Sequence, residues 1–312
     1  MKVLITGGAG YIGANLTSEL LQDCKIAKVT IYDNFSRQNF NCLSLLKNRD
    51  DDKLSLTHGE ILDGEAIAAQ VEQADCIIHC AAVSKTHYNG ENPHLFDQVN
   101  HWGTANLVRE LSKATSRKRV IFASSGAVYG STSSTVTEEQ EAHPTTSYAN
   151  SKYHAEQQIR RLEGSHDVST LRVGSVFGFG IATRFDSVIN KFFLNATLGR
   201  PITIEGNGEQ RRPFIAINEV TKLLHMLIHN SEHTGLFNVN THNWSINEIA
   251  HGFLTEFKDL EIQYVNRSEK LQDINMQETA IVKNVISEYE NKDFISYLLE
   301  MKKSFDAVEA NL

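Results

Sequence analysis

A short apolar run, Val3-Leu4-Ile5, leads directly into Thr6-Gly7-Gly8-Ala9-Gly10-Tyr11-Ile12-Gly13, and a segment with helical spacing follows near residues 11–24. Few folds use such a junction. Glycines between a strand and a helix permit a tight turn and let backbone amides come close to a ligand. They also leave the helix N-terminus open, where unpaired N–H groups attract an anion. The string fits two spacings: Gly8, Gly10 and Gly13 give the general dinucleotide pattern, and Gly7, Gly10 and Gly13 give a wider one. A turn with no ligand would satisfy the same glycines. The deciding feature comes twenty positions after Gly13, where a second apolar strand, Lys28 to Tyr32, ends in Asp33-Asn34. A carboxylate there can accept hydrogen bonds from an adenosine ribose. Strand, glycines and acid together predict a bound dinucleotide held by Gly7, Gly10, Tyr11, Ile12, Gly13, Asp33 and Asn34.

Runs rich in Val and Ile recur at Leu54–Leu56, Cys76–Cys80, Arg119–Phe122 and Val168–Val173. Helix-compatible segments near 63–74, 93–114 and 147–163 alternate with them, the second opening at Asn92-Pro93. This alternation predicts an α/β fold, a Rossmann-type doubly wound parallel sheet covered by helices on both faces. After about residue 174 the rhythm loosens through Gly178, Gly180, a helical stretch around 184–198 and the loop Gly206-Asn207-Gly208. The expected organisation is a larger domain over 1–174, to which 213–241 returns, and a smaller C-terminal substrate-binding lobe from 175–212 and 242–312.

A chain of 312 residues can build two lobes that share a cleft. Its net charge of −8, without a long basic run, argues against nucleic acid as a main partner. No stretch approaches the roughly 20 apolar residues needed to span a bilayer, and the N-terminus lacks the apolar core of a signal peptide. A soluble, cytoplasmic protein with no membrane partner is expected. Cys24, Cys42, Cys76 and Cys80 do not resemble a disulfide framework. Cys76 and Cys80 bracket Ile77-Ile78-His79 and fit a core strand better than a metal site, so no metal is expected.

Tyr148 and Lys152 stand four apart in Ser147-Tyr148-Ala149-Asn150-Ser151-Lys152, which on a helix puts both on one face. A phenol titrates near pH 10 in isolation, and a neighbouring ammonium favours the phenolate, the form that serves as a base. Lysine is common, and the spacing alone is not decisive.

The joint pattern resembles the extended short-chain dehydrogenase/reductase family over most of the chain. The glycine string, Asp33, Gly59-Glu60-Ile61-Leu62-Asp63, His79-Cys80-Ala81-Ala82, Asn100 before Gly103-Thr104, and Ser124-Ser125-Gly126-Ala127-Val128-Tyr129-Gly130 follow that family's order, as do Tyr148, Lys152, Arg172 and Gly178. The resemblance implies NAD as cofactor, with Glu60 and Ile61 beside the adenine and Ala81, Ala82 and Asn100 along the cofactor. A role for Asn100 in bonding neighbouring backbone remains open beside that one. It implies Ser125, Tyr148 and Lys152 as catalytic residues: a hydroxyl on the reacting oxygen, the acid/base, and the group that binds the nicotinamide ribose. Tyr148 and Lys152 would also touch the cofactor. Asp33 favours NAD over NADP by repelling a 2′-phosphate, although Arg37 neutralises part of that repulsion.

Within the family, Arg184 to Gly208 resembles the substrate-lobe segment of nucleotide-sugar epimerases and dehydratases. Arg212, before Phe214-Ile215, matches an arginine on the substrate diphosphate, a task that suits a forked guanidinium. Ser125, Tyr148, Ser175 and Arg212 are the implied substrate contacts. Departures exist: Gly174-Ser175 stand where an asparagine is usual, Pro213 replaces an Asp, and Asn266-Arg267-Ser268-Glu269 matches the second phosphate-binding segment poorly. The implied reaction is inversion at C4 of a UDP-hexose by an epimerase that works as a homodimer. A 4-ketoreductase or dehydratase of the same family is the alternative, and a non-catalytic NAD(P)-binding sensor the reading outside enzymology. Gly126-Ala127 stand where dehydratases carry an Asp-Glu pair.

Overall fold

The structure, a computed structural model, describes residues 1–46, 52–84, 92–132, 134–266, 271–287 and 292–309. Arg267, Ser268 and Glu269 of the poorly matching segment lie outside the described residues.

The N-terminal part alternates β1 (Lys2–Thr6), α1 (Tyr11–Leu20), β2 (Lys28–Asp33), β3 (Leu54–His58), α2 (Gly64–Gln73) and β4 (Cys76–His79). It continues with α3 (Pro93–Phe96), α4 (Gly103–Leu111), β5 (Arg119–Ser125), the short β6 (Thr135–Val136), α5 (Ser147–Arg160) and β7 (Asp167–Val173). The side chains explain why these segments form a sheet covered on both faces. In β1, Val3 and Ile5 enter one hydrophobic cluster and Leu4 the opposite one, as the two-residue period of a strand requires. The same split divides Cys76 and Ile78 from Ile77 in β4, and Ile121 from Val120 and Phe122 in β5. With apolar residues on both faces, helices have to cover both.

Beyond β7 come β8 (Ser175–Phe177), α6 (Val188–Thr197), β9 (Ile202–Glu205), β10 (Arg211–Ala216), α7 (Ile217–His229), β11 (Gly235–Val239) and β12 (His242–Ser245). The described chain ends with α8 (Ile246–Glu256), β13 (Ile262–Val265), β14 (Asn275–Met276), α9 (Ala280–Ile286) and α10 (Phe294–Glu309). The main sheet has seven strands in the order β11-β7-β5-β4-β1-β2-β3, all pairs parallel. β11 carries the chain back to this sheet beside β7. Strand order reverses between β1 and β4, so a crevice opens beyond their C-terminal ends.

The sheet face covered by α1 and α7 also receives Val282 and Ile286 of α9. A separate aromatic cluster joins Phe177, Phe192, Phe193, Phe214, Phe253 and Tyr297 across β8, β10, α6, α8 and α10. This second cluster supports a three-stranded sheet ordered β12-β10-β8. β10 and β8 stand there as the wall that faces the crevice.

One segment departs from the expected continuous helix over 93–114. Asn92 starts it, its side chain accepting from the Leu95 amide. Residues Asp97–Trp102 then form a wider π-helical stretch before α4. Such widening turns a side chain out of its helical position. Here Asn100 turns inward, donating to the Val83 carbonyl (3.0 Å) and Ser151 Oγ (2.9 Å) and accepting from the Val83 amide (2.7 Å).

Candidate active site

The crevice at the strand-order reversal is a cleft of about 1070 Å³. Gly7, Gly10, Tyr11, Ile12, Gly13, Asp33, Asn34, Glu60, Ile61, Ala81, Ala82, Ser125, Tyr148, Lys152, Ser175 and Arg212 all line it. Asn100 does not line it: the residue is 1% exposed and its side-chain amide is engaged by the Val83 backbone and Ser151, the backbone-bonding role rather than a place along the cofactor.

Gly7 has φ +68, and a Cβ on it would lie 2.6 Å from the Cα and N of Ala81, just past the end of β4. Only glycine satisfies both the left-handed backbone and this approach. Gly10 caps α1 with no side-chain hydrogen bond, and the first turn carries no acid. The amides at the N-terminus of α1 therefore keep their positive character toward the cleft. Tyr11 is anchored rather than free: its hydroxyl donates to the Gly178 carbonyl.

Asp33 closes the far side of this cradle. Its carboxylate accepts from the amides of Ala9 (3.0 Å) and Phe35 (2.8 Å). Burial nevertheless raises its pKa above the usual range, against those bonds and the nearby charge of Arg37. Asn34 donates to Glu60 (2.7 Å), tying the end of β2 to the loop after β3. Ile61 is buried, and it packs so closely that a Cβ on Gly103 would come within 2.6 Å of its Cγ2.

Across the cleft, Thr146 caps α5 by accepting from the Ala149 amide. Tyr148 and Lys152 then follow one turn apart, both facing the cleft. Burial raises the Tyr148 pKa above the ordinary phenol range, outweighing a hydrogen bond with Ser125 and the charges of Arg184 and Arg37, which lower it. Ser125, at the end of β5, accepts from the Ala127 amide (3.2 Å), which leaves its own proton for donation. Lys152 is 3% exposed, donates to the Ala123 carbonyl at 2.6 Å and stands 4.4 Å above the Phe122 ring centroid. Burial lowers its pKa to about 8, opposed by Cys80 and Glu156.

Arg184 and Arg37, from loops far apart in the sequence, add their charge at Tyr148. They meet at Ser84, whose hydroxyl accepts from Arg37 (2.7 Å) and Arg184 (3.1 Å). Arg184 also pairs with Asp186 at 2.9 Å. Sequence reasoning noted Arg37 only as a neighbour of Asp33 and gave Arg184 no role, because no local motif marks either one.

A second arrangement missed from sequence lies one turn beyond Lys152. Glu156 accepts from Ser124 (2.5 Å) and from Arg172 (2.8 and 3.1 Å), and both charged side chains are buried. The Arg172 guanidinium also covers the Tyr129 ring at 4.5 Å. This network pins α5 to β5 and β7, and it commits Ser124 to structure while Ser125 turns to the cleft.

On the opposite wall, Ser175 opens β8 and Arg212 lies in β10, one strand away. Gly126 and Ala127 follow Ser125 on the cleft floor. A Cβ at Gly126 would meet Met276 Sδ at 3.2 Å and Pro213 Cγ at 3.5 Å, so apolar atoms already occupy the space beside it.

Residues 3–240 match the model of the NAD dependent epimerase/dehydratase family. The chain belongs to this family. Among curated relatives, a putative UDP-glucose 4-epimerase of Methanocaldococcus jannaschii is 30% identical over 227 residues, covering 70% of this chain and 71% of that protein. A dTDP-glucose 4,6-dehydratase of Escherichia coli is 25% identical over 264 residues, covering 78% and 72%. Among solved structures, a UDP-glucuronic acid 4-epimerase of Bacillus cereus superposes with a TM-score of 0.84 at 19% identity, covering 99% of this chain and 100% of that one, which establishes the shared fold.

The family's cofactor is NAD, and the residues at the switch point fit it. The uncapped N-terminus of α1 suits a diphosphate, the close approach of Gly7 to Ala81 leaves the cradle unobstructed, and Asp33 ends β2 where a ribose acceptor is needed. The chain is accordingly an enzyme of nucleotide-sugar epimerase/dehydratase type. Among the described residues, no helix is long and apolar enough to cross a membrane.

Proposed function

We propose that this protein inverts C4 of a UDP-hexose, or of its N-acetylated or uronic form, through a 4-keto sugar. Bound NAD would supply the acceptor and later the donor of hydride. The chain's own residues manage the proton and the position of the sugar. Ser125 donates a hydrogen bond to the C4 oxygen, and Tyr148 as phenolate takes the C4 hydroxyl proton. Arg37 and Arg184 stabilise that phenolate by charge. Lys152, held charged on the Ala123 carbonyl, binds the nicotinamide ribose. Arg212 and Ser175, on the far wall, hold the diphosphate side of the substrate while the ketone turns over, so that hydride would return to its opposite face as Tyr148 gives the proton back to the C4 oxygen.

The observation that carries the reading is the floor of the cleft beside Ser125. Eliminating water from a sugar needs an acid and a base of its own, and here Gly126-Ala127 offer neither, with Met276 and Pro213 packed against the first. A 4-ketoreductase would use the same Ser125, Tyr148 and Lys152. The M. jannaschii relative is named for UDP-glucose and the B. cereus structure for UDP-glucuronic acid, which supports a UDP-sugar substrate.

The test is incubation of purified protein with UDP-glucose, UDP-galactose, their N-acetyl forms and their uronates, with and without NAD. Interconversion of one C4 pair without net NADH is the expected result. Release of a 4-keto-6-deoxy sugar would replace the proposal by dehydration. Stoichiometric cofactor consumption on a 4-keto sugar, with no epimer formed, would replace it by reduction.

A further inference from the structure

The end of α1 remote from the cleft carries a second constellation of chemically able side chains. α1 has ten residues and is about 15 Å long, so this end is well separated from the glycine cradle. Asp23 follows it in the turn. His225 and His229 stand one turn apart on α7, which packs against α1. Their Nε2 atoms lie 2.9 and 2.6 Å from the same oxygen, Asp23 Oδ2, although 202 and 206 residues separate them from it in sequence. All three ligating atoms fall within 4.8 Å of one another.

Asp23 is fixed from behind: its other carboxylate oxygen accepts from the Lys25 amide (2.8 Å), and its main-chain carbonyl accepts from Lys53 Nζ (2.7 Å). Burial would push its carboxyl up, but the Lys25 amide and the two imidazoles outweigh that and hold it below the usual range. A second carboxylate, Glu19, lies on α1 within the field of His225 and hydrogen-bonds Thr221 of α7. The cluster is partly exposed, with side chains 37% exposed at His225, 20% at His229 and 12% at Asp23.

We propose that Asp23, His225 and His229 bind a first-row divalent transition ion, with Zn²⁺ the best fit, through two imidazole nitrogens and one carboxylate oxygen, a remaining position being open to water. Imidazole beside carboxylate suits Zn²⁺, whereas Ca²⁺ and Mg²⁺ take oxygen ligands. Metal–ligand bonds of about 2.0–2.2 Å in a tetrahedron set ligand atoms about 3.3 Å apart, so each Nε2 needs to move away from Asp23 Oδ2 by less than about 1 Å. None of the three residues lines the cleft. The ion's role is structural: it ties the end of α1 to the last turn of α7 and so closes a loop of about two hundred residues.

Among the described residues one other cluster could hold an ion. Asp97, His101 and His154 are looser, with Nδ1 atoms 3.0 and 3.9 Å from Asp97 Oδ1, and they serve as the control. The experiment uses tag-free, chelator-treated full-length protein at constant pH, with ZnCl₂ titrated by calorimetry and melting followed in parallel. Expected are one tight equivalent and a rise in melting temperature of about 6 °C at a thousandfold excess over Kd. His225→Gln/His229→Gln should lose both effects, and His154→Gln should keep both. Should the double variant fail to fold without metal, the half-exposed His225→Gln alone is measured, with Zn²⁺ affinity expected to fall at least about tenfold. Absence of saturable Zn²⁺ binding in the parent would overturn the site and leave a cluster in which both rings simply donate to Asp23. Undiminished binding in the His225 and His229 variants would overturn it as well.

Discussion

Replacing Lys152 by Met should stabilise the cofactor-free protein at pH 7 while removing turnover. The lysine is 3% exposed, and burial lowers its pKa from 10.5 to about 8. Below about pH 8 it is protonated in both the folded and the unfolded chain, so the folded state carries the full desolvation of the ammonium. A shift of that size, at about 1.4 kcal/mol per unit, corresponds to about 3 kcal/mol. Between about pH 8 and 10.5 the unfolded chain holds a proton that the folded chain has released, so this group's contribution to stability rises with pH across that window.

Met keeps an unbranched apolar stem over Phe122, and its sulfur packs well on a ring. It leaves the Ala123 carbonyl without its donor, a loss of about 1 kcal/mol. The net gain at pH 7 is then about 2 kcal/mol. With about 2.1 cal/mol/K of unfolding entropy per residue over 312 residues, or about 0.65 kcal/mol/K, melting should rise by about 3 °C. Differential scanning calorimetry at pH 7 and pH 10 checks both the size and the sign, because the advantage should nearly vanish at the higher pH. A variant that melts below the parent at pH 7 would show that partners stabilise the ammonium more than burial penalises it, and the reasoning would fail.

Tyr148→Phe keeps the ring and its edge contact with Phe96 but removes the hydroxyl. Turnover should fall at least about a hundredfold while NAD binding survives, and near-parental turnover with chemistry limiting would reject the role of Tyr148. Glu156→Gln leaves the buried Arg172 guanidinium without its counter-ion, which costs about 3–5 kcal/mol, or about 5–8 °C of melting temperature on the same entropy. A variant melting within 1 °C or so of the parent would mean that water already screens the pair. NAD should bind more tightly than NADP because Asp33 repels a 2′-phosphate, and fluorescence titration giving equal affinities would show that Arg37 cancels that repulsion.

The sheet was legible because each strand states its own burial. Val3, Ile5, Ile77, Ile78, Val120 and Ile121 are all at most 2% exposed, and residues apolar on both faces of a short run have few places to go except a covered parallel sheet. The glycine cradle was legible for a similar reason, since its chemistry lies within one turn of chain. The break over Asp97–Trp102 was not. It depends on Asn100 reaching Val83 and Ser151, contacts that exist only after β4 and α5 are in place.

The same rule divides the site. Ser125, Tyr148 and Lys152 stand at a strand end and on one helical turn, so their spacing survives folding and can be read in advance. The field that acts on Tyr148 comes from Arg37 and Arg184, which the sequence separates by more than a hundred residues and Ser84 brings together. One of these arginines follows β2 and the other follows β8, so the basicity of the tyrosine depends on contact between loops from two strand systems. Lys152, the partner that the four-residue spacing suggests, donates to the Ala123 carbonyl. Helical proximity predicted which residues would meet in the cleft. It did not reveal the two arginines that add their charge there, because their position is set by where long side chains find acceptors after folding.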